Sequence, residues 1–234
     1  MSKDIRLAKE RAAKKAVEFI KDGQIVGVGS GTTVELFIKI LAERIKREGL
    51  DIITIPTSFR TYQLLAEYNF KIASLNEYPD LDIAIDGADE VDSHLNLIKG
   101  GGAAHTLEKI VDYSARDFIV IVDYRKISNK LCEKRYIPIE VIPIAIKRVT
   151  KELMKMGAVD VRLRGGEPNK YGPLITELGN VILDTKFKPL ENPESMEREI
   201  KTIPGVVEVG IFSGRHVSKV IVGYPDRVEM LKRK

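Results

Sequence analysis

Up to Lys126, short apolar runs bounded by turn residues alternate with amphipathic stretches, and this rhythm constrains the fold more than any other feature. The runs at 24–28, 51–55, 71–75, 81–85 and 118–122 are rich in β-branched residues and short enough to be strands. Apolar residues at helical spacing predict helices over 5–21, 34–47, 59–68 and 103–115. Consecutive strands separated by helices need crossover connections. The pattern therefore predicts an α/β fold with a mostly parallel sheet covered on both faces.

The rhythm changes after Lys126. Pro138 and Pro143 bracket an apolar run at 139–142, which reads as a linker or an opening strand. A helix over 145–156, strands over 159–164 and 181–185 joined by a turn at 165–169, and a helix over 193–201 follow. A β-α-β-β-α-β order predicts a small ferredoxin-like α+β unit. The segments 218–223 and 226–231 restore the strand-helix pattern and are expected to rejoin the first sheet.

At 234 residues the chain accommodates one large domain, or one large and one small. Its 38 basic and 34 acidic residues are interspersed, leaving a net charge of +4 that is too mild to point to nucleic acid but suits an anionic small substrate. The single cysteine, Cys132, excludes an intrachain disulfide and a Cys-rich metal site, so a reducing, cytoplasmic setting is the default expectation. The charged N-terminal segment lacks the apolar core of a signal peptide, and no apolar run approaches the roughly 20 residues that span a bilayer.

Two glycine-containing segments carry the chemistry. The run GVGSGTT (27–33) follows a strand and opens a helix, where backbone N–H groups and the hydroxyls of Ser30, Thr32 and Thr33 would cradle a phosphate. It fits a dinucleotide fingerprint poorly, because the third glycine is missing and the next strand ends without an acid. A tight turn that binds nothing fits the same residues. Asp86 and Asp89 follow the strand at 81–85, at the carboxyl end where open α/β sheets bind ligands. A solvated acidic turn accounts for Glu90 and Asp92, a magnesium site would use such oxygens, and catalysis would use both aspartates with Lys99. The turn Gly100, Gly101 and Gly102 lets backbone approach a ligand closely, and Glu108 lies on the helix beyond it. Lys126 sits past another strand end. His94, His105 and His216 show no metal-ligand spacing.

Taken together, the runs VGSGTT (28–33), PTS (56–58), DGADE (86–90), KGGGAA (99–104), EK (108–109) and VIP (141–143) resemble type A ribose-5-phosphate isomerases along nearly the whole chain. The resemblance implies a Rossmann-like domain, 1–127 plus 207–234, and a second, smaller ferredoxin-like domain, 128–206. It implies cofactor-free, metal-independent interconversion of ribose 5-phosphate and ribulose 5-phosphate by a homodimer or homotetramer. Carried onto this sequence, Glu108 is the base, Lys99 and the glycine turn stabilise the oxyanion, and Asp86 handles hydroxyl protons. Ser30, Gly31, Thr32, Thr33, Gly87, Ala88, Asp89 and Gly100–Gly102 line the substrate, and Lys126 meets its phosphate. The chain departs from the family at His105-Thr106-Leu107, where Leu-Thr-Arg is common, and at GSGTT, where GTGST is commoner. A sugar-phosphate sensor domain, an isomerase-deaminase and a CoA transferase stand as the rival readings.

Overall fold

The computed structural model describes residues 2–168 and 170–233; Asn169, the last residue of the predicted 165–169 turn, lies outside the described residues. In chain order the elements are α1 (Lys3–Val17), β1 (Ile25–Val28), α2 (Thr32–Glu48), β2 (Ile53–Pro56), α3 (Phe59–Glu67), β3 (Lys71–Ile72), β4 (Leu81–Asp86), β5 (Glu90–Val91), β6 (Leu97–Ile98) and α4 (His105–Tyr113). There follow β7 (Ala115–Asp123), β8 (Ile137–Val141), α5 (Ile146–Lys155), β9 (Asp160–Leu163), β10 (Val181–Lys186), α6 (Pro193–Lys201), β11 (Val206–Val209), β12 (Ile211–Phe212), β13 (Lys219–Gly223) and β14 (Val228–Lys232). The chain sorts into two compact units, one made of Met1–Ala88, Leu107–Lys126 and Arg215–Lys234, the other of Asp89–Thr106 and Ile127–Gly214.

The first unit holds a seven-stranded sheet in the order β14-β13-β7-β4-β1-β2-β3. All neighbours are parallel except β13 and β14. Counted within this sheet, the order is 3-2-1-4-5-6 plus an antiparallel edge, the doubly wound order whose topological switch point lies between β1 and β4. Val26 and Val28 of β1, Ile83 and Ile85 of β4, and Ile119 and Ile121 of β7 form one core with apolar residues of α1 and α2. The alanines Ala8, Ala12, Ala13 and Ala16 let α1 lie close to the sheet. Val111 of α4 packs on Ile55 and Leu81 in a separate cluster.

The predicted helix at 226–231 is instead β14, paired antiparallel with β13 from Lys219↔Lys232 to Gly223↔Val228. Tyr224 donates its N–H to the Arg227 carbonyl (2.9 Å), closing a turn with Pro225 inside it. Proline presets the backbone for that position, and a four-residue turn leaves room only for a hairpin. The helix predicted over 103–115 begins at His105, because Ala103 closes a tight turn onto the Gly100 carbonyl at a φ of 61°.

In the second unit, β11-β8-β10-β9 form an antiparallel sheet, order 4-1-3-2, as a ferredoxin-like unit requires. Helices α5 and α6 supply Val149, Leu153 and Ile200 to its core. The run at 139–142 is an opening strand, and the segment between β9 and β10 returns through bridges Gly165↔Pro173 and Ile175↔Val181. A three-stranded sheet, β12-β6-β5, went unread in the sequence because each strand is two residues long. It accounts for residues 89–106 joining this unit. Among the described residues, no helix is long and apolar enough to cross a membrane.

Candidate active site

In the first unit the loop after β1 and the end of β4 meet at the switch point of the sheet. Asp86 is the last residue of β4 and is fully buried. Its Oδ1 accepts the N–H groups of Ser30 (2.9 Å) and Gly87 (2.6 Å). Gly29 makes this possible, since a Cβ there would fall 1.9 Å from Asp86 Cγ. The glycine loop and the strand-end carboxylate are therefore one constellation, tied by charge-assisted hydrogen bonds.

The Ser30 hydroxyl lies within hydrogen-bonding distance of Thr57 Oγ1 (2.9 Å) and donates to Ser58 Oγ (2.7 Å). Thr61 Oγ1 donates to the Gly29 carbonyl (2.7 Å). This hydroxyl cluster braces the loop from beneath, while Gly31 and Thr32 stay exposed at the start of α2. Helix α2 opens at Thr32 with no side-chain cap, and its first N–H groups and positive dipole end suit an anion.

Sequence reasoning missed Lys9, one lysine among many on the charged first helix. Its Nζ donates to Thr32 Oγ1 (2.5 Å). Its pKa is lowered, first by burial, against the pull of Asp123, and further by Lys126 and Arg125. Asp123 and Arg125 form a fork-to-fork pair at 2.7 and 3.0 Å. Burial works against the charge on Asp123, but Arg125 outweighs it and holds that pKa below the usual carboxylate range. Lys9 and the predicted Lys126 thus share one electropositive corner beside the α2 N-terminus.

Glu108, in the first turn of α4, is only 6% exposed. Three residues on, Val111 lies against β1, where a Cβ at Gly27 would come within 2.8 Å of its Cγ1. α4 ends at Tyr113, just before β7 begins at Ala115 opposite Leu81, the first residue of β4. The helix therefore runs antiparallel to the strands, and Glu108 sits about one turn, ~5 Å, nearer their carboxyl ends than Val111. That is the direction in which β4 runs to Asp86.

The second unit contains Asp89, Lys99 and the glycine turn. Asp89 Oδ2 accepts the Gly101 N–H (2.8 Å), and the Asp89 N–H donates to the Ile98 carbonyl (2.8 Å). Lys99 is 2% exposed, with its Nζ 5.4 Å from the centre of the Phe212 ring. Gly100 has a φ of 104°, and a Cβ there would strike His105 Nδ1 at 2.7 Å. His105, which departs from the family pattern, and Thr106, which keeps it, are buried. His105 Nε2 lies 3.3 Å from the Glu208 carbonyl, and the Thr106 hydroxyl donates to Glu140.

Glu90 and Asp92 are not the solvated acids expected. Glu90 is 0% exposed and accepts Ser128 Oγ (2.8 Å) and the N–H groups of Cys132 (3.0 Å), Lys134 (2.9 Å) and Arg135 (3.3 Å). Asp92 Oδ1 accepts the N–H groups of His94 and Asn96, both at 2.8 Å, as an Asx turn does. Among the described residues, no group of three or more His, Cys, Asp or Glu is placed to hold a metal ion.

Fold and site together define an α/β protein of the doubly wound class, with a ferredoxin-like second unit and a glycine loop locked onto a strand-end acid. Residues 53–227 match the family described as ribose 5-phosphate isomerase A (phosphoriboisomerase A). Ribose-5-phosphate isomerase A of Methanococcus aeolicus is 49% identical over 95% of this chain and 93% of its own length. The structure of ribose 5-phosphate isomerase A from Methanocaldococcus jannaschii matches with a TM-score of 0.91 at 47% identity, over 96% of this chain and 98% of its own. A D-ribose-5-phosphate isomerase in complex with phospho-erythronic acid matches at 0.95 and 48% identity, over 98% of this chain and 100% of its own. This chain belongs to the ribose 5-phosphate isomerase A family.

Proposed function

We propose that this chain interconverts D-ribose 5-phosphate and D-ribulose 5-phosphate through a cis-enediolate, without a metal or cofactor. The observation that carries the reading is the buried Asp86 carboxylate fastened to the glycine loop at the switch point, in a chain of this family. Glu108 takes the proton from C2 of the open-chain aldose and returns it to C1. The aldehyde carbon is thereby reduced and the neighbouring carbinol oxidised, with no external electron carrier. One carboxylate serves both carbons because they are adjacent, and positioned proton transfer of this kind contributes about 10²–10⁴-fold.

Lys99 and the Gly102 N–H of the Gly100–Gly102 turn hold the negative charge that grows on oxygen, while the Gly101 N–H ties the turn to Asp89. Asp86 exchanges hydroxyl protons and opens the furanose ring, and Asp89 orients sugar hydroxyls beside Gly87 and Ala88. The loop of Ser30, Gly31, Thr32 and Thr33, with Lys126 and Lys9, receives the phosphate. Phospho-erythronic acid, held by a relative, suits such a site: its carboxylate presents the planar negative charge of an enediolate beside a phosphate tail. The enzyme serves the non-oxidative pentose phosphate pathway in the cytoplasm, as a homodimer or homotetramer.

Ketose formation from ribose 5-phosphate tests the reading, with undiminished rate after exhaustive EDTA treatment. No ketose, or activity lost to EDTA and restored by magnesium, would contradict it. Lys9→Ala and Lys126→Ala should each raise KM about 10- to 150-fold with little change in kcat, since a hydrogen bond to a charged group contributes about 1.5–3 kcal/mol. An unaltered KM removes the residue from the phosphate site.

A further inference from the structure

We infer that Arg164, together with Asp184, is a positioning device for the isomerisation: the guanidinium grips the carbonyls of the glycine turn and so aims its N–H groups. The inference rests on the isomerase reading above. Arg164 follows β9, where its own N–H donates to the Ile182 carbonyl (2.9 Å) and its carbonyl accepts the Leu174 N–H (2.9 Å). Its Nη1 donates to the carbonyls of Gly100 (2.8 Å) and Gly101 (3.2 Å). The opposite side of the fork is held by Asp184, with Nε on Oδ2 (2.8 Å) and Nη2 on Oδ1 (2.5 Å).

In a trans peptide the carbonyl of one residue and the N–H of the next point in opposite directions. Fixing the Gly100 carbonyl thus aims the Gly101 N–H, which reaches Asp89 Oδ2 at 2.8 Å. Fixing the Gly101 carbonyl aims the Gly102 N–H away from Arg164. Glycines supply no side chain to stiffen such a turn, so an external grip is needed to preset it. Donors preset toward developing charge act in the transition state, and a misplacement of about 1 Å can cost about 100-fold. Lysine cannot substitute, because an ammonium lacks the planar fork that meets a carboxylate and two carbonyls at once.

A cleft of about 440 Å³ lies beside this grip, lined by Asp89, Gly101, Tyr136, Arg162, Arg164 and Asp184. It gives a small cation a route to the place a missing guanidinium would leave. Steady-state rates of the full chain with ribose 5-phosphate test the assignment. R164A should lose about 100-fold in kcat with KM within about twofold of wild type. Added methylguanidinium should recover a large part of that loss, and ammonium at equal concentration should not. If R164A does not fold, R164K carries the test, with kcat about tenfold down at unchanged KM. A folded variant with wild-type kcat, a loss confined to KM, or a kcat loss that methylguanidinium leaves untouched would overturn the role. An inactive wild-type chain would overturn the isomerase reading instead.

Discussion

Glu108→Gln is expected to lower kcat by about 10²–10⁴-fold while leaving KM nearly unchanged. Glutamine keeps the size of the side chain and its capacity to accept a hydrogen bond, but it cannot take a proton from carbon. The helix that carries position 108 is anchored separately, by Val111 against Ile55 and Leu81, so the backbone has no reason to shift. Substrate binding draws on the phosphate loop and the lysines, which the substitution leaves intact. A folded variant that keeps most of its turnover, or loses it through KM alone, would remove Glu108 as the base.

Glu90→Gln should show the reverse pattern, a large loss of stability with the chemistry preserved in the folded fraction. Glu90 Oε1 accepts Ser128 Oγ and the Lys134 N–H, and Oε2 accepts the N–H groups of Cys132 and Arg135. The amide NH₂ fits best in place of Oε1, where the Ser128 hydroxyl can turn to accept it and only the Lys134 N–H faces a donor inside a fully buried site. Losing that bond and the charge assistance on the others costs about 2–4 kcal/mol, at about 1.5–3 kcal/mol per hydrogen bond to a charged group. For a chain of this size that is on the order of 10 °C in Tm, readable by circular dichroism. Cys132 supplies a second readout. Burial pushes its thiol up to about 11, so it should resist thiol reagents near neutral pH in the wild type and react faster in the variant. A Tm within about 2 °C of wild type would contradict the structural role given to Glu90.

These two glutamates show how far the sequence could be read. The apolar run at 81–85 with an acid directly after it marks a strand end by local pattern alone, and β4 ends at Asp86. The glycines at 29 and 100 are explicable from position, yet their partners, Asp86 and His105, follow only from packing. Glu90 reads as one more acid in an acidic turn, because nothing local reveals that the backbone of residues 132–135 folds over it. Lys9 and Arg164 act on residues 23 and 64 positions away, respectively, and no periodicity carries that information. Local signals misled at 226–231, where a turn through Pro225 sends the chain back as β14.

Conversion of ribose 5-phosphate in D₂O, followed by proton NMR, tests the central claim most directly. A carboxylate that holds the C2 proton exposes it to exchange, so the ribulose 5-phosphate formed should carry deuterium at C1. With Glu108→Gln, conversion and exchange at C2 should both fall by about 10²–10⁴-fold. Full conversion by the wild type without any deuterium at C1 would contradict an enediolate whose proton exchanges on the base, and undiminished exchange in the variant would place the base elsewhere.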